Sequence, residues 1–368
     1  MRVLLLSAYD AHSHRRWREG LVAAFPEWDW TVLTLPPRNF AWRIRGNSLS
    51  WAFAERRLLQ RSYDLMVATS MTDLSSLRGL VPALTRLPTL VYCHENQFAY
   101  PEGRQQPGRV ESMMVNLYTL LAGDRVVFNS VWNRDSCLDG IQGFLNKMPD
   151  AVPPGVAAHI AEKSVILPVP LETEWFAAGD MVASDEPLTI VWNHRWEYDK
   201  APDRLFAALL QLQQAGMDFR VHVLGQQFRD QPAVFAELHG RLREHIATWG
   251  MVAAVADYRR ILQRSHVVLS TALHEFQGLA VQEAVASGCV PLVPDRLAYA
   301  DFFAAPYRYP SCVDDPGREG AALADRILHW RGADGGQGLP PVPDVSGLSW
   351  ARQKSAYAAE LGALALSQ

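Results

Sequence analysis

The chain has 368 residues, of which 49% are hydrophobic and 20% charged, and its formal net charge is −4. This length suffices for two domains with separate cores, and the composition excludes a largely disordered chain. The absence of about 18 uninterrupted apolar residues excludes a membrane span. Four scattered cysteines without a Cys-x-x-Cys pair argue against a metal knuckle and favour reduced thiols in the cytoplasm.

Short apolar runs of strand length recur along the whole chain. In order, they cover Val3–Ser7, Trp30–Leu35, Leu65–Thr69, Thr89–Cys93, Arg125–Asn129, Val165–Leu167, Thr189–Asn193, Arg220–Leu224, Val267–Ser270 and Val290–Val293. Continuous apolarity is typical of parallel strands buried on both faces. Helical patterns such as Pro202–Ala215 and Leu279–Ser287 lie between the runs. We therefore predict an α/β protein with two doubly wound, Rossmann-like domains.

The two sets of strands predict where the domains begin and end. We expect a first domain over residues 1–170, a linker around 179–187 and a second domain over 187–348. Residues 349–368 are expected to form a final helix that packs back on the first domain. Ligands of such folds bind beyond the carboxyl ends of the strands, so we expect the site in a cleft between two facing domains.

The strongest local signal is the segment 274–283, which follows the run Val267–Ser270 and opens a helical pattern. A helix that begins after a strand presents free backbone N–H groups and a positive dipole end, which suit a diphosphate. Gly278 lets the backbone come close to a ligand. Glu275 and Glu283 offer carboxylates for sugar hydroxyls and a ribose diol, because carboxylates accept paired hydrogen bonds well.

Two cations follow the run Thr189–Asn193 in the second half of the chain. Arg195 and Lys200 lie in a loop that ends at Pro202, a residue suited to a first helical turn. Such cations can neutralise a leaving diphosphate where other folds use a divalent metal. The sequence contains no Asp-x-Asp triplet, Walker A sequence, Gly-x-Ser-x-Gly elbow or His-Glu-x-x-His pair. The missing Asp-x-Asp triplet disfavours metal-dependent sugar transfer, and we expect neither a metal nor another cofactor.

Polar residues also follow two strands of the first half. His94 lies just past the fourth apolar run, where a parallel sheet exposes its ligand-binding edge. Glu95 and Asn96 come next and are candidates for acceptor binding. Ser13 and His14, in the loop after the first strand, are candidates for the same role.

The segment 38–61 is basic and rich in aromatic residues. It contains a single acidic residue, Glu55, beside the aromatic residues Phe40, Trp42 and Trp51. Its arginines are Arg38, Arg43, Arg45, Arg56, Arg57 and Arg61. Such a stretch can hold phosphates and stack bases, although a solvated helical face over core aromatics gives the same pattern.

The spacing of Glu275 and Glu283 resembles the donor motif of the retaining family-four glycosyltransferases, which have the GT-B fold. The resemblance implies that Glu275 contacts the transferred hexose and Glu283 the ribose. It also implies that a histidine at the position of His94 contacts the donor sugar. The residues implied to lie under the sugar and phosphates include Phe276, Gln277, Gly278 and Leu279.

A narrower set of segments is similar to the tRNA-queuosine mannosyltransferase family. The similarity is carried by 34–37 with Trp42, Arg43 and Arg45, by His94-Glu95-Asn96-Gln97-Phe98-Ala99-Tyr100-Pro101, by 127–133, by His194-Arg195-Trp196-Glu197-Tyr198-Asp199-Lys200 and by 271–278. It implies retaining transfer of mannose from GDP-mannose to the cyclopentenediol of queuosine at the tRNA wobble position. Arg43 and Arg45 then become candidates for contacts with an anticodon loop.

Three alternatives stay open at the level of the sequence. One is a transferase or epimerase of the same fold that acts on a small or lipid-linked acceptor. Another is a galactosyl rather than a mannosyl transferase, and the third is a non-catalytic sugar- or RNA-binding protein.

Overall fold

The computed structural model describes residues 1–100, 109–177, 187–332 and 338–366. The chain divides into two compact units. The first contains Met1–Pro170 and Trp350–Gln368, and the second contains Leu171–Ser349. The linker expected at 179–187 lies outside the described residues except for Pro187, and so does Pro101 of the similarity noted above.

The first domain is built on a six-stranded parallel sheet of order β2-β1-β3-β4-β5-β6. Its strands are β1 (Arg2–Ser7), β2 (Asp29–Thr34), β3 (Leu65–Thr69), β4 (Thr89–Cys93), β5 (Arg125–Phe128) and β6 (Ser164–Ile166). Every residue of β3 and β4 is buried, as expected for central strands covered on both faces.

Helices flank this sheet and include one from the end of the chain. They are α1 (His12–Ala24), α2 (Phe40–Ala54), α3 (Arg56–Leu59), α4 (Leu74–Leu80), α5 (Arg109–Ala122), α6 (Val131–Leu145), α7 (Val156–Glu162) and α14 (Trp350–Ala365). The hydroxyl of Tyr357 in α14 accepts a hydrogen bond from Trp17 Nε1 at 3.1 Å and lies 3.1 Å from the Tyr92 hydroxyl. These buried contacts fix α14 to the first domain.

The second domain repeats the plan, with a parallel sheet of order β12-β11-β10-β7-β8-β9. Its strands are β7 (Leu188–Asn193), β8 (Phe219–Leu224), β9 (Ile246–Gly250), β10 (Val267–Leu269), β11 (Val290–Pro294) and β12 (Arg308–Tyr309). Its helices are α8 (Pro202–Gln214), α9 (Val234–Arg241), α10 (Val255–Gln263), α11 (Leu279–Ala286), α12 (Tyr299–Phe302) and α13 (Pro316–Trp330). Among the described residues, none of the helices has the length and apolarity that a bilayer crossing requires.

The predicted α/β class and all ten predicted strands are confirmed, each strand within one residue at either end. Two strands, β9 and β12, were not predicted. Both lie at the edges of the second sheet, where a strand has a neighbour on one side alone. Strand β9 is mostly half-buried and β12 has two residues, so neither produces the continuous apolar run of a central strand.

Candidate active site

The loops after β7 and β10 lie side by side because these strands are neighbours in a parallel sheet. The register pairs Ile190 with Val267, so both strands end at the same edge. The loops are tied together by a hydrogen bond of 2.8 Å from Leu273 N to Asp199 O. Thr271 Oγ1 also donates to Lys200 O at 2.7 Å. The two segments predicted to bind the donor therefore form one structural unit.

Lys200 is the centre of this unit. Its side chain is 8% exposed, and its Nζ donates to His274 O at 2.7 Å and to Glu275 Oε2 at 3.3 Å. Asp199, the preceding residue of the same loop, places its Oδ2 3.2 Å from Nζ. Burial alone would lower the pKa of Lys200, but Glu275 and Asp199 outweigh it and raise that pKa above its usual value. The amine is therefore held in its charged form.

Glu275 shows the reciprocal effect. Burial would raise its pKa, but the nearby charge of Lys200, assisted by His194 and His274, lowers it to about 2. The carboxylate is therefore ionised and can accept hydrogen bonds from a sugar. Arg195 is half exposed, and its guanidinium pairs with Glu197 at 2.9 Å. The arrangement leaves one buried and one accessible cation at the same edge of the sheet.

Gly278 begins α11 in the left-handed region, with φ +84°. A Cβ at this position would lie 2.8 Å from Tyr299 Cε1, so glycine satisfies both the backbone and the packing. The helix that follows has no side-chain hydrogen bond at its N-cap, and its first backbone N–H groups are available to an anion. These features are compatible with the predicted contact with a diphosphate, which stays a prediction.

The neighbours of Gly278 in the chain are buried or half-buried. Phe276 is buried and packs edge-on against His274, with ring centroids 4.6 Å apart. Gln277 is buried and donates to Gln282 Oε1 at 2.9 Å. Leu279 is half-buried in the first turn of α11. Their predicted contacts with the donor stay predictions.

Glu283 lies in the second turn of α11 and is held there by a chain of hydrogen bonds. Tyr258 Oη donates to Glu283 Oε2 at 3.1 Å, and Asn193 Nδ2 donates to Tyr258 Oη at 2.8 Å. The same Asn193 amide donates to Ala280 O at 2.8 Å. The carboxylate predicted to bind the ribose is thus oriented from β7 and α10 together.

Other supporting residues of this unit, like Tyr258, were not predicted. Arg296 follows β11 and donates to Ala272 O at 2.9 Å, while Glu319 accepts its Nη1 and Nη2 groups at 2.7 Å. Tyr299 Oη lies 2.6 Å from Ser270 Oγ. Arg296 could have been predicted from the sequence, because it follows a predicted strand that ends at the same edge as the strand before Lys200.

In the first domain, His14 and His94 lie together at the carboxyl edge of the sheet. Their ring centroids are 4.1 Å apart, and both side chains are buried. Burial lowers the pKa of His14 to about 4, and burial together with His14 lowers the pKa of His94 well below its usual value. Neither ring nitrogen of His14 has a hydrogen-bond partner among the described residues, and nor does Nε2 of His94. The pair is neutral and can bond to a ligand.

The other acceptor candidates differ in their surroundings. Ser13 and Glu95 are half-buried beside the two histidines in the chain. The Asn96 amide is buried and donates to Asn133 Oδ1 at 2.9 Å, and its own Oδ1 accepts from the backbone N of Ala99 at 2.8 Å. Its amide therefore shapes the loop after β4, and its predicted contact with an acceptor stays a prediction.

The two arginines predicted to meet the acceptor are also constrained. Arg45 pairs with Asp73 at 2.9 Å and with Glu111 at 3.2 Å, so much of its charge is neutralised within the domain. Arg43, two positions earlier in α2, is half-buried. Among the described residues, no cluster of three or more His, Cys, Asp or Glu side chains is arranged to hold a metal ion.

The whole chain superimposes on known glycosyltransferase structures. The glycosyltransferase from Rickettsia africae ESF-5 matches with a TM-score of 0.65 at 13% identity, over 100% of this chain and 99% of that one. The sucrose-phosphate synthase from Thermosynechococcus elongatus matches with a TM-score of 0.64 at 15% identity, over 100% and 96%. The chain therefore has the GT-B fold of glycosyltransferases, as predicted.

Sequence comparison gives the family. A family model described as tRNA-queuosine alpha-mannosyltransferase N-terminal matches residues 2–171. The tRNA-queuosine alpha-mannosyltransferase of Drosophila melanogaster is 30% identical over 309 residues, which cover 82% of this chain and 81% of that protein. The chain belongs to the tRNA-queuosine alpha-mannosyltransferase family and is a glycosyltransferase.

Proposed function

We propose that this glycosyltransferase moves mannose from GDP-mannose to the cyclopentenediol of queuosine at the wobble position of tRNA, with retention. The observation that carries the sugar-nucleotide part is the meeting of Lys200, Glu275 and the uncapped start of α11 at one sheet edge. The acceptor part is supported by membership of a family whose Drosophila member is named for this reaction.

The second domain binds the donor in this proposal. The diphosphate lies against Arg195, Lys200 and the backbone N–H groups after Gly278, because that edge combines two cations with a helix N-terminus. Glu283 accepts hydrogen bonds from the ribose diol. Glu275 holds the hexose.

Donor binding exchanges the partners of Lys200. Without a donor, its ammonium faces the carboxylates of Asp199 and Glu275 at 3.2 and 3.3 Å. A diphosphate carries more negative charge than either carboxylate, so it competes for the same ammonium. Glu275 then turns its ionised oxygens to hexose hydroxyls. The ion pair thus keeps both groups charged and in place until the substrate arrives.

The proposed chemistry is a front-face displacement. A hydroxyl of the cyclopentenediol attacks the anomeric carbon from the side on which GDP leaves. The bond between the anomeric carbon and the phosphate oxygen breaks, the new glycosidic bond forms, and the acceptor proton passes to a phosphate oxygen of departing GDP. Arg195 and Lys200 stabilise the charge that develops on the leaving diphosphate, so no divalent metal is required. Trapping of a covalent mannosyl-enzyme would overturn this route.

Incubation of the purified protein with queuosine-containing tRNA tests the proposal. Separate reactions receive GDP-mannose or UDP-galactose, and the digested nucleosides are weighed by mass spectrometry. A hexose gain on queuosine with GDP-mannose alone is the expected result. A hexose gain on queuosine with UDP-galactose alone would mean that the donor is UDP-galactose. If the protein binds a nucleotide sugar but queuosine gains no hexose, tRNA is rejected as the acceptor. Release of free nucleoside diphosphate without any acceptor indicates an epimerase.

A further inference from the structure

The outer face of α2 carries a row of large apolar side chains in contact with solvent. Trp42 is 55% exposed, Leu49 47% and Phe53 70%. Spacings of seven and four residues place these three side chains on one face of the helix, over about 16 Å at 1.5 Å per residue. We call Trp42, Leu49 and Phe53 the α2 row. Contiguous exposed apolar side chains of this kind mark interaction surfaces.

Trp42 is held in a fixed position although it is exposed. Gly46 lies one turn further along α2, and a Cβ on it would fall 2.5 Å from Trp42 Cε2. The indole therefore rests directly against the helix backbone, which a side chain at position 46 would prevent. A supported aromatic ring that is more than half exposed is suited to stacking against a flat partner.

Positive charge surrounds the α2 row. Arg38 precedes the helix, and Arg56 and Arg57 follow it in α3; all three are exposed. Among the described residues, no carboxylate forms an ion pair with any of them, whereas Arg45 is paired with Asp73 and Glu111. The cations available to a partner thus lie at the two ends of the row.

We propose that the α2 row, together with Arg38, Arg56 and Arg57, binds a single-stranded loop of RNA, with an unpaired base stacked on Trp42. The inference rests on the tRNA acceptor of the proposed function. Aromatic rings give sequence-tolerant stacking, and arginines track the phosphates. The partner is a loop rather than a duplex, because the bases of a duplex are stacked on one another and present no free face. Acceptor contact thereby shifts from Arg45 to Trp42, Arg56 and Arg57.

A second copy of the chain fits this surface less well. A two-fold contact through α2 would bring the same arginines of both copies together, and like charges across an interface are unfavourable. An RNA loop instead supplies phosphates for the arginines and a base for the indole. Charge complementarity therefore favours RNA over self-association.

Equilibrium binding of a fluorescein-labelled anticodon stem-loop RNA tests the inference. The variants are Trp42→Ala, Gly46→Ala and the double change Arg56→Ala with Arg57→Ala. The controls are Tyr118→Ala, which removes an exposed aromatic residue from α5, and the double change Arg241→Ala with Arg243→Ala on the second domain. Melting temperature and the Kd of GDP-mannose are measured for each protein to show that fold and donor site are intact.

The expected result is at least a fivefold weaker Kd for Trp42→Ala, the low end of what base stacking on an aromatic ring contributes. Gly46→Ala, which displaces the indole, is expected to have a similar effect. The arginine pair is expected to weaken binding and lower the slope of log Kd against log salt by about 1.4, or about 0.7 per lost phosphate contact. The controls are expected to stay within twofold of the wild type.

Other results overturn the inference. It fails if the wild type does not bind the RNA, or if all three variants bind it within twofold of the wild type. It also fails if sedimentation shows a dimer that Trp42→Ala converts to a monomer, since the α2 row then covers a second copy. Failure of the proposed function looks different: the RNA binds in a Trp42-dependent manner, but no hexose reaches queuosine.

Discussion

Lys200 and Glu275 form an ion pair between two loops, with Nζ 3.3 Å from Oε2. The residues are 75 positions apart in the chain, and each follows a strand that the sequence predicts. The pair lowers the pKa of Glu275 to about 2 and raises that of Lys200. Both groups therefore stay charged at neutral pH, which is the state that their proposed contacts with a diphosphate and a hexose require.

Lys200→Met removes the charge and keeps most of the aliphatic chain. We expect kcat to fall at least about 100-fold, because loss of one group that stabilises transition-state charge costs about 2.7–4 kcal/mol. We also expect a lower free energy of unfolding, since Asp199 and Glu275 lose their shared partner. Single-turnover transfer and urea unfolding measure the two effects.

Lys147→Met is the matched control, because Lys147 is exposed and remote in sequence from the donor loops. In a double-mutant cycle, Glu275→Gln is expected to cost less stability on the Lys200→Met background than on the wild type. Additive costs together with kcat within fivefold of the wild type would show that the ion pair has no role in either property.

His14 predicts a pH dependence of stability. Burial lowers its folded-state pKa to about 4 from the usual 6.5, although nearby Asp10 opposes the shift and His94 packs against the ring. Below pH 6.5, His14 binds a proton in the unfolded chain but stays neutral in the folded protein. The free energy of unfolding therefore falls as the pH drops from 6.5 toward 4. At pH 5 this single group contributes a loss of about 2 kcal/mol.

His14→Phe keeps a buried ring and removes the titration. The fall in unfolding free energy between pH 7 and pH 5, measured with urea, is expected to be about 2 kcal/mol smaller than in the wild type. His159→Phe, at an exposed position of α7, is the control. An identical fall in the wild type and in His14→Phe would mean that His14 is protonated in the folded protein.

The sequence predicts the central part of both sheets because strands buried on two faces must be continuously apolar. It misses β9 and β12, because Ile246–Gly250 has a half-exposed, mixed pattern and Arg308–Tyr309 is too short to form an apolar run. The edge strands β2 and β6 were predicted, because their sequences still form apolar runs. The same logic finds the residues that follow central strands, including His94 and Lys200. Residues that directly follow parallel strands lie at the carboxyl edge of the sheet, so their location can be predicted once the strands are known.

The supporting residues were not predictable in this way. Tyr258 reaches Glu283 from α10, and Glu319 reaches Arg296 from α13, through contacts that depend on how helices pack across the sheet. Nor does a local pattern show that Arg45 is paired with Asp73, 28 positions away. The basic character of segment 38–61 was evident from sequence, whereas the subset of arginines left for a partner was not.

Tyr258→Phe removes one oxygen from the chain that holds Glu283. We expect the KM for the donor to rise about tenfold with a smaller change in kcat, because a hydrogen bond to a charged group contributes about 1.5–3 kcal/mol. Steady-state kinetics at saturating acceptor measures both constants. Tyr118→Phe, at an exposed position, is the control. A fall in kcat without a change in KM would place Tyr258 in the chemical step instead of donor binding.

Gly278 and Gly288 lie at the two ends of α11. Comparing them distinguishes two reasons for a glycine, a positive φ and a lack of room for a Cβ. Both have positive φ, +84° and +108°, so alanine at either position strains the backbone by about 1–3 kcal/mol. A Cβ at Gly278 would also lie 2.8 Å from the ring of Tyr299, whereas nothing lies within 4 Å of a Cβ at Gly288. We therefore expect Gly278→Ala to be the more destabilising change in urea unfolding.

Comparing Gly278→Ala with Gly288→Ala also distinguishes an effect on donor binding from an effect on stability. Gly278 begins the helix whose N–H groups are proposed to hold the diphosphate, and Gly288 follows its far end. Gly278→Ala is therefore expected to weaken GDP-mannose binding at least about tenfold by calorimetry, while Gly288→Ala leaves the Kd within twofold of the wild type. Equal Kd values for the two folded variants would mean that the diphosphate does not lie at the start of α11, because that is the one feature of the helix that Gly278→Ala disturbs and Gly288→Ala spares.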